Sequence, residues 1–255
     1  MATAATRLPS DKRGHPPLAR RTARQDAWWV EPLITVVVLG AFIVYSTWVV
    51  FQGRDFYAEP YLSPFYSPLF QPAWWPLSPA LFVMWAPLLF RLTCYYYRKA
   101  YYRAFLWDPP ACAVGEVRGG GYGGETGLFV FQNLHRFALY FAVIVLAFLW
   151  YDTIHAFFFR NGFGIGLGSI ILLANVLLLS GYTFGCHSFR YLIGCGMDCA
   201  SCAHAGAPRL QLYRWVSALN GRHAVWAWTS LFSVALADLY VRLVASGVIS
   251  DVRFL

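Results

Sequence analysis

Charge is scarce in this sequence. Only 13% of its 255 residues are charged, against about a quarter in an average soluble domain, while 58% are hydrophobic and 19% aromatic. That balance excludes an ordinary water-soluble enzyme and an intrinsically disordered chain. The marks of a secretory signal are also missing. The first apolar run is long, lies behind a polar N-terminal stretch and has no small-residue cleavage site. The glycine-rich run at 119–124 has no Gly-Lys-Ser/Thr after it, so it reads as a flexible connector and not as a P-loop. A net charge of +8 alone would suggest a nucleic-acid reader, but the placement of the charge argues otherwise.

What the chain does have is long apolar runs. Five of them approach or exceed the roughly 20 residues that cross a ~30 Å hydrocarbon layer. They lie at about 33–52, 77–97, 136–157, 163–187 and 224–246; the first carries no charge and the second only Arg91. The expected fold is an all-α integral membrane protein, a five-helix transmembrane bundle. Residues 1–27 form a basic tail, residues 28–255 the membrane domain, and connections at about 98–134 and 188–222 lie on one face. Sixteen basic residues fall on the side of the N-terminal tail and those two connections, among them Arg7, Lys12, Arg98, Lys99, Arg103, Arg190 and Arg209. Only Arg54, Arg160, Arg242 and Arg253 fall on the other. By the positive-inside rule the N-terminus is cytoplasmic and the C-terminus outside. The positive charge therefore reports topology and contact with anionic lipid, not nucleic acid. Trp28, Trp29, Trp74, Trp75 and the Tyr95-Tyr96-Tyr97 run fit aromatic belts at the two interfaces.

Cysteine and histidine are concentrated by depth. At 1.5 Å per residue, Cys94 lies roughly 25 Å down the second span, near its cytoplasmic end. His135 starts the third span, Cys186 and His187 close the fourth, and His223 opens the fifth. Cys112 follows Asp108, Pro109 and Pro110 in the connection at the same face. Six potential ligands from four helix ends and one loop thus gather at one membrane face. One by one, a membrane cysteine is usually a packing residue and a helix-end histidine usually bonds a carbonyl; the gathering is what points to a metal.

The first two spans contain no histidine and the outer half offers only His155, which argues against two b-haems. One haem between two of His135, His187 and His223 stays open, as do zinc on Cys₂His₂ and a Rieske-type [2Fe–2S] cluster, in which two Cys hold one iron and two His the other. Cys186 and His187 are adjacent, so their side chains point about 100° apart; both could face one centre only if the helix breaks, which Gly181 and Gly185 favour.

A further cluster, Cys195, Cys199, Cys202 and His204, spells C-x3-C-x2-C-x-H in a Gly/Ala-rich loop. It is a weaker metal pattern than paired CxxC motifs. Asp152, Asp238 and Arg242 are intramembrane charges. A transporter would use such residues, but Asp238 and Arg242 stand four apart and pair on one helix face as a structural ion pair.

Several blocks together resemble one family: Arg91-Leu-Thr-Cys94-Tyr-Tyr-Tyr-Arg98-Lys99-Ala-Tyr-Tyr-Arg103, Pro109-Pro110-Ala-Cys112-Ala, Gln132-Asn133-Leu-His135-Arg136, Cys186-His187-Ser188, Leu219-Asn220-Gly221-Arg222-His223, and the tail from Ala245 through Asp251-Val-Arg253-Phe. They look like the membrane-anchor subunit of succinate dehydrogenase, respiratory complex II, in the single-anchor mycobacterial form. The resemblance runs from about Trp28 to Leu255 and does not extend to the Cys195, Cys199, Cys202 and His204 cluster.

It implies flavoprotein and iron–sulfur subunits docked on the cytoplasmic face of a bacterial plasma membrane, with electrons passing from succinate to a membrane quinone, menaquinone or ubiquinone. It implies also an embedded Rieske-type cluster in place of haem b. Its ligands would be four of the six candidates: Cys94, Cys112 and Cys186 as thiolates, His135, His187 and His223 as imidazoles. Tyr97, Arg98, Trp107 and Arg136 are the expected neighbours of the quinone. With no flavin fingerprint and no succinate-binding motif, the chain would act only as a subunit. The readings that remain beside this one are a quinone-oxidoreductase anchor with a single b-haem and a non-redox transporter or scaffold.

Overall fold

The computed structural model describes residues 24–107, 109–114, 129–195 and 206–255. Four of the five expected spans are continuous helices. Helix α1 (Val30–Gln52) ends at Gly53, whose φ of 64° closes the helix in the left-handed conformation that glycine tolerates. Helix α5 (Phe129–His155), α6 (Leu167–Phe184) and α9 (His223–Ala245) are the others. Among the described residues these give four helices long and apolar enough to cross a membrane: Val30–Gln52, Asn133–His155, Leu167–Phe184 and His223–Ala245.

The expected span at 77–97 is built differently. It consists of three short helices in succession: α2 (Pro79–Val83), α3 (Trp85–Thr93) and α4 (Tyr95–Ala100), followed by a π-helical turn at Tyr101–Phe105. Pro87 accounts for the first interruption. It has no N–H to give the carbonyl of Val83, and its ring crowds that carbonyl, so the helix restarts after Met84. The second interruption falls at Cys94, whose backbone is extended (φ −65°, ψ 132°).

Two helices flank the last connection, α7 (His187–Gly194) and α8 (Gly206–Gly221). Helix α9 packs along α6, α3 along α5, and α7 along α8. The polarity of a soluble fold is inverted. Val44 is 71% exposed, Phe137 61% and Leu236 61%, whereas Asp238, Ser63 and Asn175 are buried. Apolar side chains outside and polar ones within are what a hydrocarbon solvent demands.

At the end far from Cys94, two short hairpins close the bundle: β1 (Tyr57–Ala58) with β2 (Tyr61–Leu62), and β3 (Phe158–Phe159) with β4 (Gly162–Phe163). Arg160 bridges them by binding Glu59 at 2.7 Å, and its guanidinium holds that carboxyl below the usual carboxylate range. The buried Asp238 and the half-buried Asp152 and Asp251 anchor the segment between α1 and α2. Asp238 accepts from Tyr45 Oη at 2.6 Å, from Ser63 Oγ and from Arg242 Nε at 2.8 Å. Arg242 spends its other donors on Gln52 Oε1 and the carbonyl of Arg54, both at 2.8 Å. Asp152 accepts from Ser67 Oγ, and Asp251 from Tyr61 and Tyr240. All of the intramembrane charges expected from sequence are thus absorbed by structural hydrogen bonds, the Asp238–Arg242 pair among them.

Candidate functional site

Two of the helix breaks share a design, and each puts a cysteine at the joint. Cys94 stands between α3 and α4, Cys186 between α6 and α7. Both have extended backbones (ψ 132° and 143°), and both occupy the N-cap position of the next helix. Cys186 Sγ takes the N–H of Ser188 at 3.4 Å, as an N-cap acceptor does. Before it, Gly185 permits a close approach of backbones. A Cβ there would lie 2.5 Å from the carbonyl oxygen of Gly181 and 3.3 Å from that of Leu219. Asn220 fastens the joint by donating from Nδ2 to the Gly185 carbonyl at 2.8 Å. The break turns the two neighbours apart: Cys186 is buried inward and His187 is exposed.

Each buried cysteine faces a buried histidine from another helix. His135 of α5 places Nε2 3.0 Å from Cys186 Sγ. His223, the first residue of α9, places Nε2 3.7 Å from Cys94 Sγ. Aromatic rings clamp both imidazoles. Phe90 stacks on His135 with centroids 4.7 Å apart and planes at 6°, and Tyr182 stacks on His223 at 5.1 Å and 14°. Thr93 Oγ1 lies 2.8 Å from His135 Nδ1. The Nδ1 of His223 is buried with no hydrogen-bond partner among the described residues. An unsatisfied buried ring nitrogen is costly for packing alone and is in keeping with a ligand-binding imidazole.

A cavity of about 490 Å³ opens at this end of the bundle. Both cysteines and both histidines line it, together with Thr93, Arg98, Asn133, Arg136, Ser188 and Asn220. Beneath it Arg91 donates to Tyr97 Oη and, at 3.1 Å, to Ser230 Oγ, and its guanidinium sits 4.8 Å from the Tyr182 ring centre. Among the described residues no three His, Cys, Asp or Glu side chains converge as a ready site for a single metal ion.

The ten residues expected from sequence divide as follows. Cys94, Cys186, His135 and His223 come together. His187 lines the same cavity at its exposed edge. Cys112 lies apart, exposed and held through its carbonyl by Arg24 at 3.1 Å, beside a second cavity of about 700 Å³ between α1, α4 and α9. Among the expected quinone neighbours, Arg98 and Arg136 line the first cavity, Arg136 with its guanidinium 4.3 Å over Tyr191. Tyr97 lies below it, donating to the carbonyl of Ala227 at 2.6 Å, and Trp107 packs edge-on against Trp28. Cys195 is exposed at the end of α7; Cys199, Cys202, His204 and residues 119–124 lie outside the described residues. Sequence reading passed over Phe90, Thr93 and Tyr182, which carry no distinguishing pattern. It also passed over Arg91 as part of the site, although a sole charge in an apolar run was a usable signal.

No curated protein sequence matches the chain. A solved structure described as the Mycobacterium smegmatis Sdh1 complex in the apo form contains a chain 41% identical to this one, with a TM-score of 0.82, covering 98% of this chain and 100% of that one. Residues 30–247 match the family described as actinobacterial succinate dehydrogenase subunit SdhC. The chain belongs to that family and is a membrane-anchor subunit of succinate dehydrogenase.

Proposed function

We propose that the chain passes electrons from the docked iron–sulfur subunit of succinate dehydrogenase to a membrane quinone, at the end of the bundle where Cys94, His135, Cys186 and His223 meet. These four side chains would hold a Rieske-type [2Fe–2S] cluster. The observation that carries the reading is the donor set itself: two buried thiols and two buried imidazoles on one cavity, with one ring nitrogen left without a hydrogen bond. A binuclear cluster takes two protein ligands per iron, so it requires no point where three side chains converge. Bound there, it would supply one-electron transfer at a potential above that of an all-cysteine cluster. A bis-histidine haem fits less well, because the inner nitrogens of both imidazoles face thiols at 3.0 and 3.7 Å.

The protein's own groups supply the rest of the site. Arg98 and Arg136 bring positive charge to the cavity, and Asn133, Ser188 and Asn220 bring uncharged polar groups that can orient a quinone carbonyl. The same end faces the cytoplasm in the orientation that the basic residues favour. There it would receive the iron–sulfur and flavoprotein subunits, with α2, α3 and α4 together making a fifth crossing of the bacterial plasma membrane. Cys112→Ser separates this ligand set from its competitor. The variant is expected to keep the iron content of the anchor and its succinate–quinone activity within about twofold, whereas Cys94→Ser and Cys186→Ser each lose the centre. Loss of the centre in Cys112→Ser would overturn the assignment.

A further inference from the structure

Thr93 closes α3 and is 1% exposed. Its hydroxyl oxygen lies 2.7 Å from the carbonyl oxygen of Leu89 and 2.8 Å from Nδ1 of His135. A threonine hydroxyl has one proton to give and a carbonyl has none. Two oxygens 2.7 Å apart require a proton between them, and only Thr93 can provide it. At its second contact Thr93 is therefore an acceptor, so His135 Nδ1 must carry the N–H. A ligating imidazole is neutral, which leaves its lone pair on Nε2, the atom that faces Cys186 Sγ at 3.0 Å. Among the described residues nothing comparable holds His223, whose Nδ1 is buried without a partner there. The two imidazoles thus differ in what stands behind them.

We propose that Thr93 is a positioning residue that fixes His135 as the Nδ1–H tautomer and presents Nε2 as its iron-binding atom. The proposal rests on the cluster reading above. An acceptor behind the remote N–H fixes ring orientation and makes the ligand more basic, which favours oxidised iron. A serine at this position keeps the acceptor and a valine removes it at nearly constant shape.

The test uses the whole complex in two steps. First, histidine labelled with ¹⁵N only at Nδ1 is incorporated, and pulsed EPR of the reduced centre reads the directly bound nitrogens. At least one of them, that of His135, is expected to remain ¹⁴N. Conversion of both to ¹⁵N would overturn the proposal, whether or not any variant folds. Second, Thr93→Val is expected to raise the midpoint potential by about 59 mV, the one-electron equivalent of a tenfold shift, with Thr93→Ser close to the unmodified protein. Equal potentials in Thr93→Val and the unmodified complex would overturn it while leaving the cluster reading standing. Absence of any histidine-bound [2Fe–2S] signal from the unmodified complex would overturn the cluster reading itself, and this inference with it.

Discussion

His135→Ala combined with His223→Ala is expected to lower succinate–quinone activity of the assembled complex more than about 100-fold and to remove the anchor's iron. Changes to the groups behind a metal ligand already cost 10–100-fold, and this variant removes two of the four side chains proposed as ligands. The two rings sit on different helices, α5 and α9, and face different cysteines, so neither can substitute for the other. Each lies against an aromatic ring, Phe90 or Tyr182. Assembly of the complex is the control, measured by co-purification of the other subunits. Full activity with unchanged iron in an assembled double variant would contradict the ligand assignment.

Arg242→Met is expected to destabilise the anchor by about 3–5 kcal/mol, seen as a sharp fall in the amount of assembled complex. The side chain is 7% exposed and its partner Asp238 is fully buried. Removing the guanidinium leaves a carboxylate without a counter-charge in a medium that solvates it poorly. It also strands the side chain of Gln52 and the carbonyl of Arg54, both of which accept from Arg242. The double variant Asp238→Asn, Arg242→Met should recover part of the loss, because it takes away both charges together. Equal losses in the single and double variants would mean that packing, not charge, makes this pair matter. The pair is far from the cysteines, so whatever Arg242→Met complex does assemble should retain its redox signal.

Both predictions rest on features that differ in how visible they are in the sequence. The grouping of cysteine and histidine at one end follows from counting residues along apolar runs, because a helix converts position into depth with little error. Asp238 and Arg242 pair as their four-residue spacing implies. The break before Cys186 falls where Gly181 and Gly185 favour one, but it was expected as a way for Cys186 and His187 to face one centre, and the structure instead buries the first and exposes the second.

The break at Cys94 had no such marker. The run from 77 to 97 carries Arg91 as its single charge and no turn residue beside Cys94, and the extended backbone at Cys94 depends on what surrounds it: Thr93 bonding Leu89 and His135, and Tyr97 bonding Ala227 on α9. Cys112 shows the converse. Its place in the sequence suggests the cavity, but a loop goes where tertiary contacts hold it, and Arg24 holds this one beside α1. Phe90 and Tyr182 were illegible for a simpler reason. In a chain that is 19% aromatic, two rings that stack on imidazoles look like any others.

The most direct test of the account is low-temperature EPR, with an optical spectrum, on the dithionite-reduced complex containing this subunit. The account predicts a rhombic signal of a histidine-ligated [2Fe–2S] centre, no b-haem band, and loss of that signal in His135→Ala, His223→Ala. A b-haem band without that signal would contradict it, and would make the histidines axial ligands and the two buried cysteines packing residues.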